Sequence, residues 1–305
     1  MGKIVVIGSS NTDLVIKTSR IPRPGETIIG GEFMINAGGK GANQAVAAAR
    51  LGGQVVFVAR TGDDQFGHSA VENYERDGIV TRHIGRDGAS ASGVALIAVD
   101  DAGENSIVVA PGANATLSRA DVDRASEEIR GADYVLIQLE IPLDVVAYAV
   151  ETAHAAGVKV VLNPAPAARL ANDILAKLWL ITPNCTEASL LSGVEVTDEA
   201  SALEAARTIA RTGVPNVIVT MGGAGALILT PEGHETVSAF RVDAVDTTAA
   251  GDIFNGALVT ALVEGKTLHE AVRFASGASA ISVTRMGAQT SAPGRKEVEE
   301  FLSAR

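Results

Sequence analysis

Two carboxylates bracket a run of small residues in the stretch Asp246-Thr247-Thr248-Ala249-Ala250-Gly251-Asp252. An apolar segment with helical spacing, Ile253–Leu258, follows at once, so the stretch predicts the first turn of a helix. The N–H groups of a first turn favour an anion, and the small side chains at 249–251 would let a phosphate approach them. Asp252 would then lie beside a phosphate-binding turn. The alternative is an ordinary capped helix with Asp252 in its first turn.

The composition of the 305 residues is typical of an α/β protein with many tight turns, since 47% are hydrophobic, 20% are charged and 32 are glycine. The formal net charge of −11 argues against nucleic acid or an anionic membrane surface as a partner. The single cysteine, Cys185, excludes an internal disulfide and a cysteine-built zinc site. The chain shows no signal-peptide pattern and no apolar run of about 18 residues, so a cytoplasmic protein without a membrane span is predicted.

The opening of the chain predicts a buried strand that leads into polar residues. Lys3–Ile7 is a continuous apolar run, and Asn11 and Asp13 follow it closely. Open α/β sheets bind ligands at the carboxyl ends of their strands, so both side chains are candidate ligand contacts. Their alternative role is turn formation. The segment 8–13 lacks the G-x-G-x-x-G spacing of a Rossmann dinucleotide site.

Short segments of alternating polarity interrupt the pattern of helices and strands. They are 14–18, 27–36, 93–99 and 105–110, and the predicted turn Asp100-Asp101-Ala102-Gly103 joins the last two. They predict a small β-sheet lid, inserted from approximately 14–37 and 93–110 into a single α/β domain that covers 1–305. Because few helices are available to cover the apolar residues of the lid, a homodimer formed through it is predicted.

A glycine-rich turn precedes the apolar helix predicted at Ala45–Leu51, and its sequence is Gly38-Gly39-Lys40-Gly41-Ala42-Asn43-Gln44. The embedded lysine and the helix that follows predict a second anion-binding helix start. A glycine-rich hinge is the alternative. The turn is not a Walker A loop, because the G-x-x-x-x-G-K-[ST] spacing is absent.

Helices and strands alternate regularly from residue 117 onwards, beginning with a helix at Ser118–Arg130 and a strand at Tyr134–Leu139, after which Glu140 follows. Asn184 and Glu187 follow a later short strand and are three residues apart, where they could hold a hydrated Mg²⁺ or form a capping box. Polar or glycine-rich groups thus follow six strands. The pattern predicts a doubly wound, mostly parallel sheet flanked by helices, with these groups in one crevice.

The two segments 38–44 and 246–252 together resemble the paired signatures of the ribokinase-like (PfkB-type) carbohydrate kinase family, and the resemblance covers essentially the whole chain. It implies the ribokinase-like fold and an ATP-dependent sugar kinase that phosphorylates D-ribose at its primary (5-) hydroxyl. It also implies Mg²⁺ and K⁺ as cofactors.

The resemblance implies the roles of individual residues, with Asp252 as the catalytic base. The residues implied at the sugar are Asn11, Asp13, Gly39, Lys40, Asn43, Glu140 and Asp252. Those implied at ATP are Asn184, Glu187, Thr220, Gly222, Gly225, Ala249, Ala250, Gly251 and Ser276, with Glu187 also binding magnesium through water. Those implied at a monovalent cation are Asp246, Thr248, Val283, Met286, Ala288 and Ser291.

A carboxylate in the first turn of a helix is expected to have a lowered pKa, so Asp252 would be a weak base. It would act by position and accept the hydroxyl proton late, as the sugar oxygen bonds to phosphorus. The N–H groups of the same turn would stabilise charge on the transferring group.

Several alternatives stay open from the sequence. A nucleoside kinase would stack its base on aromatic rings, but the chain is only 4% aromatic and has no aromatic cluster near Asn11 or Lys40. A ketose-phosphate kinase would need further cations near the sugar. A 2-deoxyribose kinase and a non-catalytic sugar sensor are the remaining alternatives. At the predicted cation site, the alternative is that Arg285 pairs with Asp246 and no ion binds.

Overall fold

The structure of the chain, a computed structural model, describes residues 2–102 and 104–305, which form a nine-stranded sheet and a separate four-stranded sheet. The strands are β1 (Lys3–Ile7), β2 (Asn11–Lys17), β3 (Glu32–Gly38), β4 (Gln54–Gly62), β5 (Ile84–Asp87), β6 (Gly93–Val99), β7 (Asn105–Ala110), β8 (Tyr134–Ile137), β9 (Lys159–Leu162), β10 (Leu180–Ile181), β11 (Asn216–Thr220), β12 (Ala226–Thr230) and β13 (Gly233–Val237). The helices are α1 (Lys40–Arg50), α2 (Gln65–Arg76), α3 (Arg119–Arg124), α4 (Ser126–Arg130), α5 (Leu143–Ala155), α6 (Asn172–Leu175), α7 (Cys185–Ser192), α8 (Glu199–Ala210), α9 (Ala250–Val263), α10 (Leu268–Ser282) and α11 (Arg295–Ser303).

The large sheet has the strand order β13-β12-β11-β10-β9-β8-β1-β4-β5. All neighbouring pairs are parallel except β11–β12 and β12–β13, which are antiparallel. Strands are added outward from β1 in both directions, so the order reverses between β8 and β1. A doubly wound sheet opens a ligand crevice at such a reversal, beyond the carboxyl ends of the strands. The predicted doubly wound, mostly parallel sheet is confirmed.

Both faces of the large sheet are covered at its centre, which explains why central strands such as β1, β8 and β9 are apolar runs. Within β1, Ile4 and Val6 belong to one hydrophobic core and Val5 and Ile7 to the other, and all four are fully buried. Residues of α1, α9, α10 and α11 form the first core with the sheet, and residues of α5 and α8 form the second. Across 2–102 and 104–305, no helix combines the length and the apolar character that crossing a membrane requires.

Two glycines let α1 approach the sheet and α9 closely. A Cβ atom at Gly41 would lie 2.6 Å from both Gly8 C and Ser9 N, and one at Gly256 would lie 2.6 Å from Gln44 O. These distances are far inside van der Waals contact, and the atoms met are backbone atoms that cannot rotate away. The glycines therefore fix α1 between the end of β1 and the start of α9.

The small sheet, which we call the lid sheet, has the strand order β3-β2-β6-β7. Its register places Leu14 beside Ile35 and Leu96, on the face opposite to Asp13. That opposite face carries apolar side chains that are 47% to 66% exposed, namely Ile16, Phe33, Ile35, Leu96 and Val108. The strands β6 and β7 pair antiparallel as predicted, whereas Gly103 of the predicted turn lies outside the described residues.

Some element boundaries differ from the predicted ones, each for a local reason. The strand predicted at 27–36 begins only at Glu32, because Gly30 and Gly31 adopt φ angles of 122° and 114°, outside the range of a strand. The helix predicted at 118–130 is two helices, α3 and α4, that meet at Ala125. The strand predicted at 236–241 is β13, which starts earlier because Gly233 pairs with Thr230 in a tight hairpin.

Candidate active site

Asp252 lies in the first turn of α9 and is buried against α1. Each of its carboxylate oxygens accepts an amide N–H bond of 2.9 Å, Oδ2 from Asn43 Nδ2 and Oδ1 from Gln44 Nε2. The close packing at Gly256 brings these two side chains of α1 to the start of α9. The carboxylate is therefore held in one orientation at the point where the predicted phosphate-binding turn begins.

The pKa of the Asp252 carboxyl is raised above its ordinary value, so the predicted lowering was wrong. Burial is the largest cause, and the charge of Lys40 and the amide bonds from Asn43 and Gln44 act in the opposite direction. The prediction considered only the helix dipole, whose effect is smaller than the cost of removing a carboxylate from water. Asp252 is therefore a stronger base than its position in the sequence indicated.

Glu140 follows β8 and is held by the turn after β1. Its Oε2 accepts bonds from Ser9 Oγ at 2.6 Å and from the backbone N–H of Lys40 at 3.0 Å. The N–H of Gly41 donates in turn to Ser9 Oγ at 3.3 Å. These bonds join the carboxyl ends of β1 and β8 to the start of α1, so Glu140 lies in the crevice as predicted from its place after a strand.

Asn11 is the first residue of β2, and its amide orientation is fixed by Asn114. Asn11 Oδ1 accepts a bond of 2.7 Å from Asn114 Nδ2. Asn114 is itself anchored on Ser10, whose N–H donates to Asn114 Oδ1 at 2.8 Å. This bond fixes the orientation of the Asn11 amide, so its Nδ2 faces away from Asn114 and can donate to a ligand. Gly93 makes this pairing possible, because a Cβ atom there would overlap both amides.

Asp13 lies over the backbone of Gly38, where any Cβ atom would overlap its carboxylate. Its pKa is raised to about 6, chiefly by burial and then by the neighbouring charges of Glu140 and Asp252. The three predicted carboxylates of the site therefore lie close enough to repel one another. Such a cluster suits a ligand that donates several hydrogen bonds.

Lys40 is the cation that faces these carboxylates. The charge of Asp252 is the largest cause of its raised pKa, with Glu140 and Glu187 adding to it against the effect of burial. The preceding Gly39 adopts a φ of 89°, and a Cβ atom there would lie 2.7 Å from Asn11 N. The glycine-rich turn thus contacts the predicted sugar side of the crevice while its lysine faces the predicted base.

The first turn of α9 begins at Ala249, which adopts a left-handed conformation with a φ of 59° and a ψ of 10°. This conformation is strained for a residue with a Cβ atom. The N–H of Ala250 donates to Thr247 O at 3.2 Å, so this predicted anion donor is engaged within the turn. Helices leave their first N–H groups without intrahelical partners, and those of Gly251 and Asp252 are therefore the donors best placed for an anion.

Asn184 and Glu187 form a reciprocal capping box at the start of α7. The N–H of Asn184 donates to Glu187 Oε2 and the N–H of Glu187 donates to Asn184 Oδ1, both at 2.8 Å. Burial is the largest cause of the raised pKa of Glu187. Asn184 also lies beside Thr220 in an isolated parallel bridge. Structural capping is therefore present, and it leaves Glu187 close enough to Lys40 for their charges to interact.

Gly222 and Gly225 form a tight turn after β11. Both have positive φ angles, 55° and 104°, and the N–H of Gly225 donates to Gly222 O at 3.0 Å. Ser276 lies on α10, one turn before Ser279, whose Oγ donates to Ala250 O at 3.1 Å. The helix that carries Ser276 is thus bonded to the first turn of α9.

Asp246 joins two loops through backbone N–H groups. Its Oδ1 accepts from Thr248 N at 2.9 Å and its Oδ2 from Gly287 N at 2.8 Å. Arg285 pairs instead with Glu297 on α11, so the predicted alternative of an Arg285–Asp246 ion pair was wrong. The carboxylate thus accepts one bond within its own segment and one from the backbone of the second loop, and the second bond could not be read from the sequence.

Several residues that shape the site were not among the predicted site residues. They are Ser9, Gln44, Asn114, Gln138 and Asn163, all of which are buried. Ser9, Gln44 and Asn114 bond Glu140, Asp252 and Asn11, respectively. Gln138 and Asn163 bond Gln44. Buried amides at strand and helix ends were the available signal, since a polar side chain within an apolar core requires a partner.

A buried carboxylate, a nearby lysine and the first turn of a helix, whose N–H groups lack intrahelical partners, form an arrangement that suits phosphoryl transfer to a hydroxyl. Residues 1–295 match the pfkB family of carbohydrate kinases, and the chain belongs to this family of ATP-dependent sugar kinases.

The chain is 47% identical over 299 residues to a ribokinase of Haemophilus influenzae, with 98% of each chain covered. It is 41% identical over 301 residues to a deoxyribokinase of Salmonella typhi, again with 98% of each covered. The structure of Arabidopsis thaliana ribokinase complexed with ribose and ATP superposes with a TM-score of 0.92 at 32% identity, covering 99% of this chain and 98% of that one. Such likeness also confirms the predicted ribokinase-like fold.

Proposed function

We propose that this chain transfers the γ-phosphoryl group of ATP to the primary (5-) hydroxyl of D-ribose and forms ribose 5-phosphate. The observation that carries this proposal is the buried Asp252 carboxylate, which Asn43 and Gln44 hold at the start of α9. The 47% identity to the Haemophilus influenzae ribokinase supports ribose as the sugar. The identity to the Salmonella typhi deoxyribokinase is lower, and 2-deoxyribose is the second candidate.

The sugar side of the crevice offers both hydrogen-bond donors and hydrogen-bond acceptors. We assign the sugar to Asn11, Asp13, Gly39, Lys40, Asn43, Glu140 and Asp252. Asn43 has a double role in this assignment, because its Nδ2 donates to Asp252 while its buried Oδ1 has no partner within 2–102 and 104–305. An unpaired buried acceptor is costly, and a sugar hydroxyl that donates to it would remove that cost. The same amide would then contact the substrate and the base.

We assign ATP to the other side of the crevice, at Asn184, Glu187, Thr220, Gly222, Gly225, Ala249, Ala250, Gly251 and Ser276. Magnesium would neutralise phosphate charge, and the oxygen-bearing Glu187, held in its capping box, fits a contact to it through water. Within the described parts of the chain, no cluster of three or more His, Cys, Asp or Glu side chains could hold an ion alone. This agrees with a magnesium ion that is bound mainly by phosphate oxygens and water.

The roles of the residues follow from their geometry. Asp252 accepts the proton of the sugar hydroxyl, and its raised pKa makes it a better acceptor than an ordinary aspartate. We assign Lys40, whose charge interacts with that of Asp252, and the N–H groups of Gly251 and Asp252 to the negative charge that increases on the phosphoryl oxygens. The base and the anion-binding donors belong to one helical turn, so a single element positions both.

A coupled assay of ADP release tests the proposed function. We expect turnover with D-ribose and ATP–Mg²⁺, and a higher kcat/KM for ribose than for 2-deoxyribose, because a carboxylate or amide left without its hydroxyl partner loses binding energy. Equal values for the two sugars would indicate a deoxyribose kinase. Sugar binding without any ADP release would indicate a sensor, and turnover only with a nucleoside would indicate a nucleoside kinase.

We also propose a K⁺ site between the two loops that Asp246 joins. The oxygens of Asp246, Thr248, Val283, Met286, Ala288 and Ser291 would hold the ion. These groups fit a hard cation, because they supply oxygen ligands from two loops that the bond from Gly287 N to Asp246 Oδ2 holds together. The ion would not touch the substrates. It would fix the segment 246–248 and, through it, the adjoining first turn of α9.

Potassium is expected to raise turnover by about fivefold over choline at equal ionic strength, because it orders the anion-binding turn. The Asp246→Ala variant should lose that response. Asp243→Ala is the matched control, since Asp243 is an exposed carboxylate of the same segment, and it should respond as the original chain does. Equal rates in K⁺ and choline for the original chain would contradict a potassium site.

We further propose that the exposed face of the lid sheet joins two copies of the chain. The face is apolar across four strands, and its continuous β-structure is suited to a flat self-complementary contact. The view of 1–305 as one domain with an inserted lid stays a prediction. A cytoplasmic location, where ATP is available, likewise stays a prediction.

Leu96→Glu should convert the dimer into a monomer, because it places a charge at the centre of this apolar face. Light scattering would then report a molar mass near 31.2 kDa instead of twice that value. Leu143→Glu changes an exposed leucine on α5, away from the lid, and should leave the mass unchanged. A monomeric original chain at micromolar concentration would refute the proposed dimer.

A further inference from the structure

Gln44 is fully buried in α1, and its side-chain amide has a single favourable orientation. Its Nε2 donates to Asp252 Oδ1 at 2.9 Å and to Asn163 Oδ1 at 3.0 Å, while its Oε1 accepts from Gln138 Nε2 at 2.6 Å. A rotation of the amide by 180° would place its oxygen against two acceptors and its nitrogen against a donor. The three bonds together therefore determine which atom faces the carboxylate.

Gln138 supplies the donor that fixes this orientation, although its own side-chain oxygen is left unpaired. It follows β8 and is fully buried, and its Oε1 has no hydrogen-bond partner in the described residues. The neighbouring Gly8 leaves room for it, since a Cβ atom there would overlap Gln138 Oε1. A buried amide with an unpaired oxygen is destabilising compared with an apolar side chain. Its presence points to a function for its Nε2.

A second branch of the network returns to the helix that carries the base. Asn163 Nδ2 donates to Thr182 O at 3.2 Å, and Thr182 Oγ1 donates to Asn255 Oδ1 at 2.6 Å. Asn255 Nδ2 donates in turn to Gly251 O at 2.8 Å. The buried side chains after β8, β9 and β10 are thus connected to the first turn of α9 at two adjacent residues, Gly251 and Asp252.

We propose that Gln44 is a positioning residue for the catalytic base, and that its amide, oriented by Gln138 and Asn163, holds the Asp252 carboxylate in place and stabilises its ionised form. The proposal rests on the role of Asp252 in the proposed function. A neutral donor is suited to this task because it aligns the carboxylate without cancelling its charge.

Other charged groups around Asp252 also influence how readily its carboxyl ionises. Lys40 on α1 favours the ionised carboxylate, and Glu140 after β8 opposes it. The interactions of Asp252 with Asp13 on β2 and with Glu187 on α7 are also repulsive. Because carboxylates outnumber the lysine and the site is buried, the two amide donors from Asn43 and Gln44 act against the other influences and favour the ionised form of Asp252.

The pH profile of kcat in Gln44→Met tests the proposal, since methionine has a similar size and no donor. We expect kcat to fall about tenfold at pH 6 and the loss to narrow to about twofold at pH 9, because a carboxylate that lacks a donor ionises at higher pH. Gln138→Met should shift the acidic limb in the same direction by a smaller amount. Thr260→Val is the matched control, because Thr260 Oγ1 bonds Ala48 O between the same two helices without touching Asp252.

A loss of kcat in Gln44→Met that is equal at every pH, or a profile shifted as much in Thr260→Val, would overturn the proposal in favour of a purely structural role. The titration of the Asp252 carboxyl, followed by ¹³C NMR and assigned with Asp252→Asn, gives a readout that does not depend on turnover. If the pKa of Asp252 moved upward in Gln44→Met but the original chain did not phosphorylate ribose, the positioning role would stand and the proposed function would be refuted. An unshifted titration would refute the positioning role.

Discussion

Asp252→Asn is expected to lower kcat on the order of 10²-fold or more, while the affinities for ribose and ATP–Mg²⁺ change little. The amide cannot accept the hydroxyl proton, whereas its size and its place between Asn43 and Gln44 are kept. One of the two amide donors will then face an NH₂ group, so a small loss of stability is also expected.

The measurement compares kcat with calorimetric dissociation constants for the same variant. Asp144→Asn is the matched control, because Asp144 is also in the first turn of a helix but is exposed on α5. The control should turn over as the original chain does. A kcat of Asp252→Asn close to that of the original chain would exclude Asp252 as the base.

Gly41→Ala is expected to have the second largest effect, because it changes both stability and catalysis. The added Cβ atom would lie 2.6 Å from backbone atoms of Gly8 and Ser9, so α1 must move away from β1. Overpacking of this kind costs about 2 kcal/mol in the free energy of unfolding. The displaced helix carries Lys40, Asn43 and Gln44, and a shift of about 1 Å in such groups lowers kcat/KM on the order of 10²-fold.

Urea unfolding and steady-state kinetics measure the two effects of Gly41→Ala separately. Gly88→Ala is the matched control, since a Cβ atom there meets nothing within 4 Å and φ is not positive. It should be neutral in both measurements. If Gly41→Ala proved as stable and as active as that control, the close packing of α1 on the end of β1 would not position the site.

The fold could be predicted largely because its signals are local. The apolar run of Lys3–Ile7, the turn before α1 and the first turn of α9 each reveal their structure within about ten residues. Predicted element boundaries were wrong where a single local feature outweighed the hydrophobic pattern, as at Gly30 and Gly31. Periodicity reports which side chains face a core, but it contains no information on where a glycine ends a strand.

The candidate site was predictable only in part, because its finer geometry depends on distant pairs. Asp252 and Glu140 stand at the ends of elements and could be selected from the sequence, but the role of Gln44 depends on partners 94, 119 and 208 positions away. The direction of the Asp252 pKa shift was predicted wrongly for the same reason, since the burial that raises this pKa is a property of the packed chain. The partner of Arg285 also became known only with the position of α11.

In the proposed function Asn11 and Asp13 contact the sugar, and the glycines beside them limit how this chain could be evolved in the laboratory towards another sugar. A side chain introduced at Gly93 or Gly38 would collide with Asn11 or Asp13 before it reached a ligand. Libraries that vary these glycines alone would therefore consist mostly of misfolded or inactive proteins. Substitutions at positions 11 and 13 themselves are the more accessible route, because both residues lie on β2 and neither is bonded to Asp252. Position 11 is the more independent of the two, because the charge of Asp13 interacts with that of Asp252. A substitution at Asn11 could thus change the choice of sugar in a single step while the groups on α9 stay as they are.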